Sequence, residues 1–130
     1  MEIMDKSNKR ILGNYGEEIA QAYLLKNNYV IITKNYRVGR SSEIDIIARD
    51  DEYICFIEVK TRSSTFFGLP SESVNKKKQQ KIIYMAEIYL LNTNLTEQNI
   101  RFDIVEVLVN KNVEKLELVN INLIKDAFST

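Results

Sequence analysis

Apolar residues recur along this chain with two periods, and the switches between them mark its elements. Ile19, Ala20, Tyr23 and Leu24 fall at helical spacing and predict a helix over residues 14–28, with Glu17-Glu18 in its first turn and Asn27-Asn28 at its end. Val30, Ile31 and Ile32 are a β-branched run that predicts a first strand over 29–36. Glu43-Ile44-Asp45-Ile46-Ile47 and Phe56-Ile57-Glu58-Val59-Lys60 read as two further strands, joined through the acidic turn Asp50-Asp51-Glu52. Residues 63–71 hold Gly68 and the only proline, Pro70, and form a connection. Val74, Lys78, Ile82, Met85 and Tyr89 then share one helical stripe, which predicts a helix over 73–91 with Ser71 or Ser73 as its N-cap. After a polar loop, residues 101–109 and 113–119 predict a last pair of strands around Asn110-Lys111-Asn112. Residues 1–12 show neither period and are expected to be frayed, which leaves 13–130 as one domain. The order α-β-β-β-α-β-β predicts an α/β sandwich with a mixed central sheet flanked by helices.

The two middle strands carry the chemistry. Side chains alternate along a strand, so Glu43, Asp45 and Ile47 share one face, as do Ile54, Phe56, Glu58, Lys60 and Arg62 on the next strand. A two- or four-residue loop between them sets Asp45 opposite Glu58 and Glu43 opposite Lys60; a three-residue loop shifts the register and separates both pairs. Directly opposed residues have Cβ atoms roughly 4.5–5.5 Å apart. Two carboxylates at that distance need a proton or a cation between them. Mg²⁺ takes oxygen ligands and commonly keeps water and substrate phosphate as well. The plainer alternative makes Glu58 and Lys60 solvated strand residues, with Lys60 paired to Glu43. The flanks argue against it: Ile44, Ile46, Ile57 and Val59 line one face while Ile47, Ile54 and Phe56 add apolar groups to the charged one. Strands apolar on both faces are covered on both sides, where unpaired charge is costly.

Composition narrows the chemistry further. With no histidine and one cysteine, Cys55, the chain has no Cys/His zinc site, no Ser-His-Asp triad and no internal disulfide. Cys55 lies in an apolar run and reads as a buried thiol. Any hydrolysis must run on carboxylates, lysine and metal. No apolar run approaches the ~20 residues of a membrane span, and Met1 to Leu12 does not read as a signal peptide, so a cytoplasmic protein without membrane contact is expected. Net charge is zero, unlike that of a strongly basic nucleic-acid binder. Yet Lys60, Arg62, Lys76, Lys77, Lys78 and Lys81 face only Glu72 between Lys60 and Lys81, a basic stretch beside the acidic pair.

The order of Glu17, Glu43-x-Asp45 and Glu58-x-Lys60 on helix, strand and strand resembles the PD-(D/E)xK nuclease superfamily, and more closely the YraN-like family of predicted endonucleases. The matching pieces are Gly16-Glu17 with Ala20 and Leu24, Asn35-Tyr36-Arg37, Glu43 to Ala48, and Phe56 to Arg62. Phe67-Gly68 with Pro70, Val74 with Lys78-Gln79, Arg101 to Val105 and the closing Ala127-Phe128 complete the set. Ser42 departs from it, standing where the family usually has glycine. The resemblance implies a restriction-endonuclease-like fold and a Mg²⁺- or Mn²⁺-dependent endonuclease acting on DNA. It adds Glu17 as a third metal ligand to Asp45 and Glu58, with the Val59 carbonyl as a further one. Likeness to archaeal Holliday-junction resolvases implies branched DNA as substrate and a homodimer.

In this reading Lys60 orients the attacking water or neutralises charge developing on the phosphate; a lysine can also give up a proton, as an arginine cannot. Lys78 lies on the core-facing stripe of its helix and, with Gln79, reaches either the site or a backbone phosphate; the alternative is a boundary lysine with its head in water. Arg62 and Arg37 are candidate DNA contacts. Glu43 suits the site but has pairing with Lys60 as a sufficient alternative role. Asp103 is expected to pair with Arg101 or a neighbouring strand. The competing function is a non-catalytic nucleic-acid-binding or partner-binding module with a nuclease-like fold. RNA ranks last as substrate, for want of an aromatic platform.

Overall fold

The computed structural model describes residues 6–40, 42–63, 74–111 and 115–130. In chain order the elements are α1 (Lys6–Lys26), β1 (Val30–Arg37), β2 (Glu43–Asp50), β3 (Tyr53–Ser63), α2 (Lys76–Asn92), β4 (Asn99–Lys111) and β5 (Leu116–Phe128). The five strands form one mixed sheet in sequence order. All neighbours are antiparallel except β3 and β4, which run parallel across the α2 crossover. The expected element order and the flanked mixed sheet are both present.

Each helix covers one face of the sheet. Leu12, Ala20 and Leu24 of α1 pack on Ile46, Ala48, Cys55, Ile57 and Val59. Ile82, Met85, Ala86 and Tyr89 of α2 pack on Ile44, Ile47, Ile54 and Phe56 from the other side. Between them Ile44, Ile46, Ile47, Ile54 and Ile57 are wholly buried, as double coverage requires. Both helices stop in the same way. Asn28 and Asn94 adopt left-handed backbone, while Tyr29 N–H donates to the Leu24 carbonyl and Leu95 N–H to that of Leu90, each at 2.9 Å. This is the Schellman arrangement, and asparagine tolerates its left-handed position.

Four boundaries differ from expectation, one of them in the last hairpin, where Asn110 and Lys111, expected in the turn, pair inside β4 with Glu117 and Leu116. Helix α1 begins at Lys6, ahead of the expected start near Asn14, so residues 6–12 are helical rather than frayed and Glu17 sits well inside the helix instead of in its first turn. The α2 N-cap is Asn75, whose side chain accepts from Lys78 N–H at 2.9 Å; Ser71 and Ser73 lie outside the described residues, as do Phe67, Gly68 and Pro70. Strand β5 reaches Phe128, far past the expected end at Val119, because its Ile121, Leu123 and Ile124 reach the cores only partly and leave a weak alternation.

At the β4–β5 side the polar residues Arg101 and Asp103 form a closed network. Arg101 Nε donates to Asp103 Oδ1 at 2.9 Å, and its Nη2 donates to Asp103 Oδ2 (2.9 Å), Asp50 Oδ2 (2.9 Å) and the Tyr29 hydroxyl (2.7 Å). Asp103, wholly buried, also accepts from Asp126 N–H at 2.9 Å, where Asp126 takes left-handed backbone and the β4–β5 register shifts. The Asp103 hydrogen bond, working against burial, raises the Arg101 pKa, so the guanidinium stays charged. Burial, aided by the Asp103 charge, pushes the Cys55 thiol up to about 12. Among the described residues no helix is long and apolar enough to cross a membrane.

Candidate metal centre

The hairpin of β2 and β3 opens at the point where its charged residues lie. Its ladder runs from Asp50↔Tyr53 to Ile46↔Ile57 around the two-residue turn Asp51-Glu52, the register that a two-residue loop predicts. Past Ile46 the alternation slips: Ile44 and Ile47 join the α2-side core, whereas Ile46 and Ala48 join the α1-side core. Asp45 sits in that slip. Its Oδ2 accepts the Val59 N–H at 2.8 Å, so a carboxylate stands where strand pairing would continue. Simple alternation, which put Glu43, Asp45 and Ile47 on one face, fails at this residue.

Two neighbouring elements bring further carboxylates to Asp45. Glu17 comes from α1, which lies so close to β3 that a Cβ on Gly16 would collide with the Thr61 side chain. Glycine at that position lets the helix approach at van der Waals contact. Glu43 comes from the start of β2. Glu17, Glu43 and Asp45 each offer an oxygen, and the three oxygens lie within 4.8 Å of one another. Glu43 pairs with Arg37 of β1 (2.9 Å), not with Lys60 as the cross-strand geometry suggested. The slip at Asp45 removes the regular register on which that pairing depended.

Glu58 lies on the α2 side and is 5% exposed. Its Oε1 is 3.5 Å from Lys60 Nζ and 3.6 Å from Lys78 Nζ. Its Oε2 is buried and has no hydrogen-bond partner among the described residues. Glu58 stands outside the set of three mutually close oxygens, so the expected trio of Asp45, Glu58 and Glu17 is only partly assembled and Glu43 takes a place in it. Lys78 reaches the site carboxylate from the stripe on which the helical period put it. Gln79 instead turns its Nε2 back to the Val74 carbonyl (3.0 Å). Arg62 lies further along β3, beside a shallow depression shared with Lys60, Glu106 and Asn122. The Arg37 side chain is exposed.

Asn35 has no place among the expected site residues. It lies between two β1 residues paired with Ile46 and Ile44 of β2, and so across from Asp45. Its φ is 53°, a left-handed conformation inside a strand. With its amide nitrogen turned to the carboxylates, as their charge requires, it is 3.2 Å from Glu43 Oε1 and 3.2 Å from Glu17 Oε1. The available signal was an asparagine, a residue depleted from strands, inside an otherwise strand-forming run.

Burial and crowding of like charges dominate the electrostatics of the site. Burial above all, then the Glu58 charge, drives the Asp45 carboxyl up to about 8 against the Val59 hydrogen bond, with Glu17 and Glu43 adding to the rise. Glu17 is raised too, first by burial and then by Glu43 and Glu58. Four carboxylates thus face Lys60, Lys78 and Arg37, with the Lys34 charge also acting on Glu17, yet burial and mutual repulsion still prevail at Asp45 and Glu17, and one buried Glu58 oxygen has no partner among the described residues. A hard divalent cation meets both conditions: it accepts several oxygen ligands and lowers the cost of ionising them together. The donor set fits Mg²⁺ or Mn²⁺.

A five-stranded mixed sheet with a helix on each face, with Glu43, Asp45, Glu58 and Lys60 on β2 and β3, is compatible with the restriction-endonuclease-like α/β architecture. The model of the family described as "Uncharacterised protein family UPF0102" matches residues 16–107, and the chain belongs to that family, the YraN-like one. The matched span begins at Gly16 and contains Glu17, Asn35, Glu43, Asp45, Glu58, Lys60 and Lys78. A UPF0102 protein of Acetivibrio thermocellus is 46% identical over 127 residues, 98% of each chain. Another, from Caldanaerobacter subterraneus subsp. tengcongensis, is 47% identical over 125 residues, 96% of this chain and 100% of the relative. One from Clostridium perfringens is 47% identical over 125 residues, 96% of this chain and 98% of the relative.

Proposed function

We propose that this protein is a Mg²⁺- or Mn²⁺-dependent endonuclease that hydrolyses DNA phosphodiester bonds in the cytoplasm. The observation that carries the reading is the convergence of Glu17, Glu43 and Asp45 oxygens beside Glu58, with Lys60 and Lys78 on Glu58 and Arg37 on Glu43. Glu17, Glu43 and Asp45 would hold the cation, with the Glu58 Oε2 and the Val59 carbonyl as further donors. When bound, such a cation polarises a scissile phosphate and lowers the pKa of a bound water.

The remaining chemistry belongs to the chain. Glu58 anchors the Lys60 and Lys78 ammonium groups through one oxygen. Both lysine side chains keep about a third or less of their surface in solvent, at 28% and 33%, so each can meet a phosphate without first being unburied. Lys60 Nζ–H donates to a non-bridging phosphate oxygen and stabilises the charge that grows there. Lys78 does the same from α2 and fixes the strand relative to the carboxylates. The exposed Lys76, Lys77 and Lys81 and the outward Arg37 supply sequence-independent, salt-sensitive backbone contacts, with Arg62 and Gln79 as lesser ones. A branched DNA substrate and a homodimer follow only by analogy with resolvases that share the motif order.

Zero net charge favours one other reading, a non-catalytic nucleic-acid-binding or partner-binding module. The two separate in a cleavage assay on linear, single-stranded and four-way-junction DNA with Mg²⁺ or Mn²⁺. The nuclease reading predicts cleavage that Lys60→Ala lowers by about 10²–10³-fold, the usual loss for one charge-stabilising donor. Wild-type protein that binds DNA and cuts none of the three would establish the module instead.

A further inference from the structure

We infer that Asn35 is a positioning residue of the cation site, holding the Glu17 and Glu43 carboxylates at the spacing at which they and Asp45 receive the metal. The inference rests on the cation-dependent reading above and adds a residue to it. Three observations converge. The Asn35 amide lies 3.2 Å from an oxygen of each glutamate, so one NH₂ group spans helix α1 and strand β2. Its backbone is left-handed, with φ 53°, in mid-strand. Its neighbours Lys34 and Tyr36 pair with Ile46 and Ile44, which sets Asn35 across from Asp45, where β2 itself slips.

The chemistry of the residue explains both the contacts and the conformation. An amide NH₂ has two protons and can serve two carboxylates at once. It is neutral, so it brings the two oxygens together without competing for the site as an ammonium would. Asparagine also adopts left-handed backbone at lower cost than other side chains of its size. The left-handed turn is what changes the phase of β1: Lys34 faces α1 and reaches Gln21 at 3.4 Å, while Tyr36 packs in the α2-side core. Among the described residues no other side chain is seen on both Glu17 and Glu43; Arg37 pairs with Glu43. Partners that hold metal ligands in place typically change affinity by about 10–100-fold when removed.

A purely conformational role for Asn35 would be met equally well by glycine, which takes φ > 0 freely. Asn35→Gly therefore keeps the backbone and deletes the amide. Mn²⁺ affinity, measured by calorimetry on wild type, Asn35→Gly, Glu17→Gln and the double variant, tests the inference. The expected result is a rise in Kd of about tenfold or more for Asn35→Gly, with a much smaller further rise when Glu17 is already Gln. The metal-free melting temperature of Asn35→Gly falls by only a few degrees, the cost of a mid-strand glycine and of the lost amide contacts, so the protein titrated is still folded. An Asn35→Gly variant that binds Mn²⁺ within twofold of wild type overturns the positioning role and leaves the cation site standing. Wild type that binds no Mn²⁺ overturns the site itself, and the role with it. Should the glycine variant fail to fold, Mg²⁺ titration of wild type followed on the Asn35 side-chain amide resonances decides. Displacement of those resonances as the site fills supports the role, and indifference to Mg²⁺ overturns it.

Discussion

Two clusters of acids and bases lie within this small sheet, and they are built on opposite terms. Around Arg101 every buried charge is answered: Asp103 accepts from the guanidinium and from Asp126 N–H, and Asp50 accepts from Arg101 and, at 3.4 Å, from Lys125. Around Asp45 four carboxylates crowd together, a buried oxygen of Glu58 is unmatched among the described residues, and Asp45 is pushed toward its protonated form. A satisfied network specifies structure. An unsatisfied one that also crowds four carboxylates together, as the buried Glu106 Oε2 elsewhere on the sheet does not, is where a cation would gain most, and the proposed function rests on it.

The largest expected effect falls on the satisfied cluster. Arg101→Met leaves Asp103 buried without its partner and should cost about 3–5 kcal/mol in urea unfolding. Mn²⁺ should not restore that loss, because no ligand of the cation centre is involved. A loss under 1 kcal/mol would erase the contrast between the clusters.

Gly16→Ala probes how the helix delivers Glu17. The added methyl meets the Thr61 side chain, and overpacking of this kind typically costs about 1–3 kcal/mol. Because Glu17 is the next residue, Mn²⁺ affinity should fall alongside stability. A variant that is destabilised but binds Mn²⁺ normally would separate Glu17 from the centre.

The last contrast is one of sign rather than of size, the direction of the pH dependence. Metal-free Asp45 keeps its proton to about pH 8 when folded, against an ordinary value of 3.8, so the folded state binds more protons in that window. Its contribution to stability is therefore best at acid pH and lost as pH rises from about 4 to 8. Asp50 behaves oppositely: burial works to raise it, but the Arg101 hydrogen bond and the Lys125 charge together hold it below its ordinary value. Its contribution is present above the ordinary carboxylate range and is lost as pH falls through its own lowered value. Melting in EDTA between pH 5 and 8 should show Asp45→Asn gaining on wild type as pH rises. An unchanged difference across that range would mean that Asp45 ionises normally.

Much of this was legible in the chain. The two-residue turn at Asp51-Glu52 fixes the β2–β3 register, and the helical stripe from Val74 to Tyr89 delivers Lys78 to the carboxylates. What period alone could not reveal lies where the period breaks. The slip at Asp45 invalidates the facing of Glu43 and Lys60, and the left-handed Asn35 inside β1 has no signature in an apolar pattern. The early start of α1 escaped because its first turns bury only Leu12 among the residues whose side chains are described. Asp103 meets both partners the sequence allows it, Arg101 and the neighbouring strand, but the reach of Arg101 to Asp50 and Tyr29 depends on contacts between residues far apart in sequence.

The most direct test of the central claim is a crystal of the protein soaked in Mn²⁺ and measured at the manganese absorption edge. The account predicts an anomalous peak bonded to oxygens of Glu17, Glu43 and Asp45, and none beside Arg101. A crystal with millimolar Mn²⁺ and no peak among those carboxylates would contradict it.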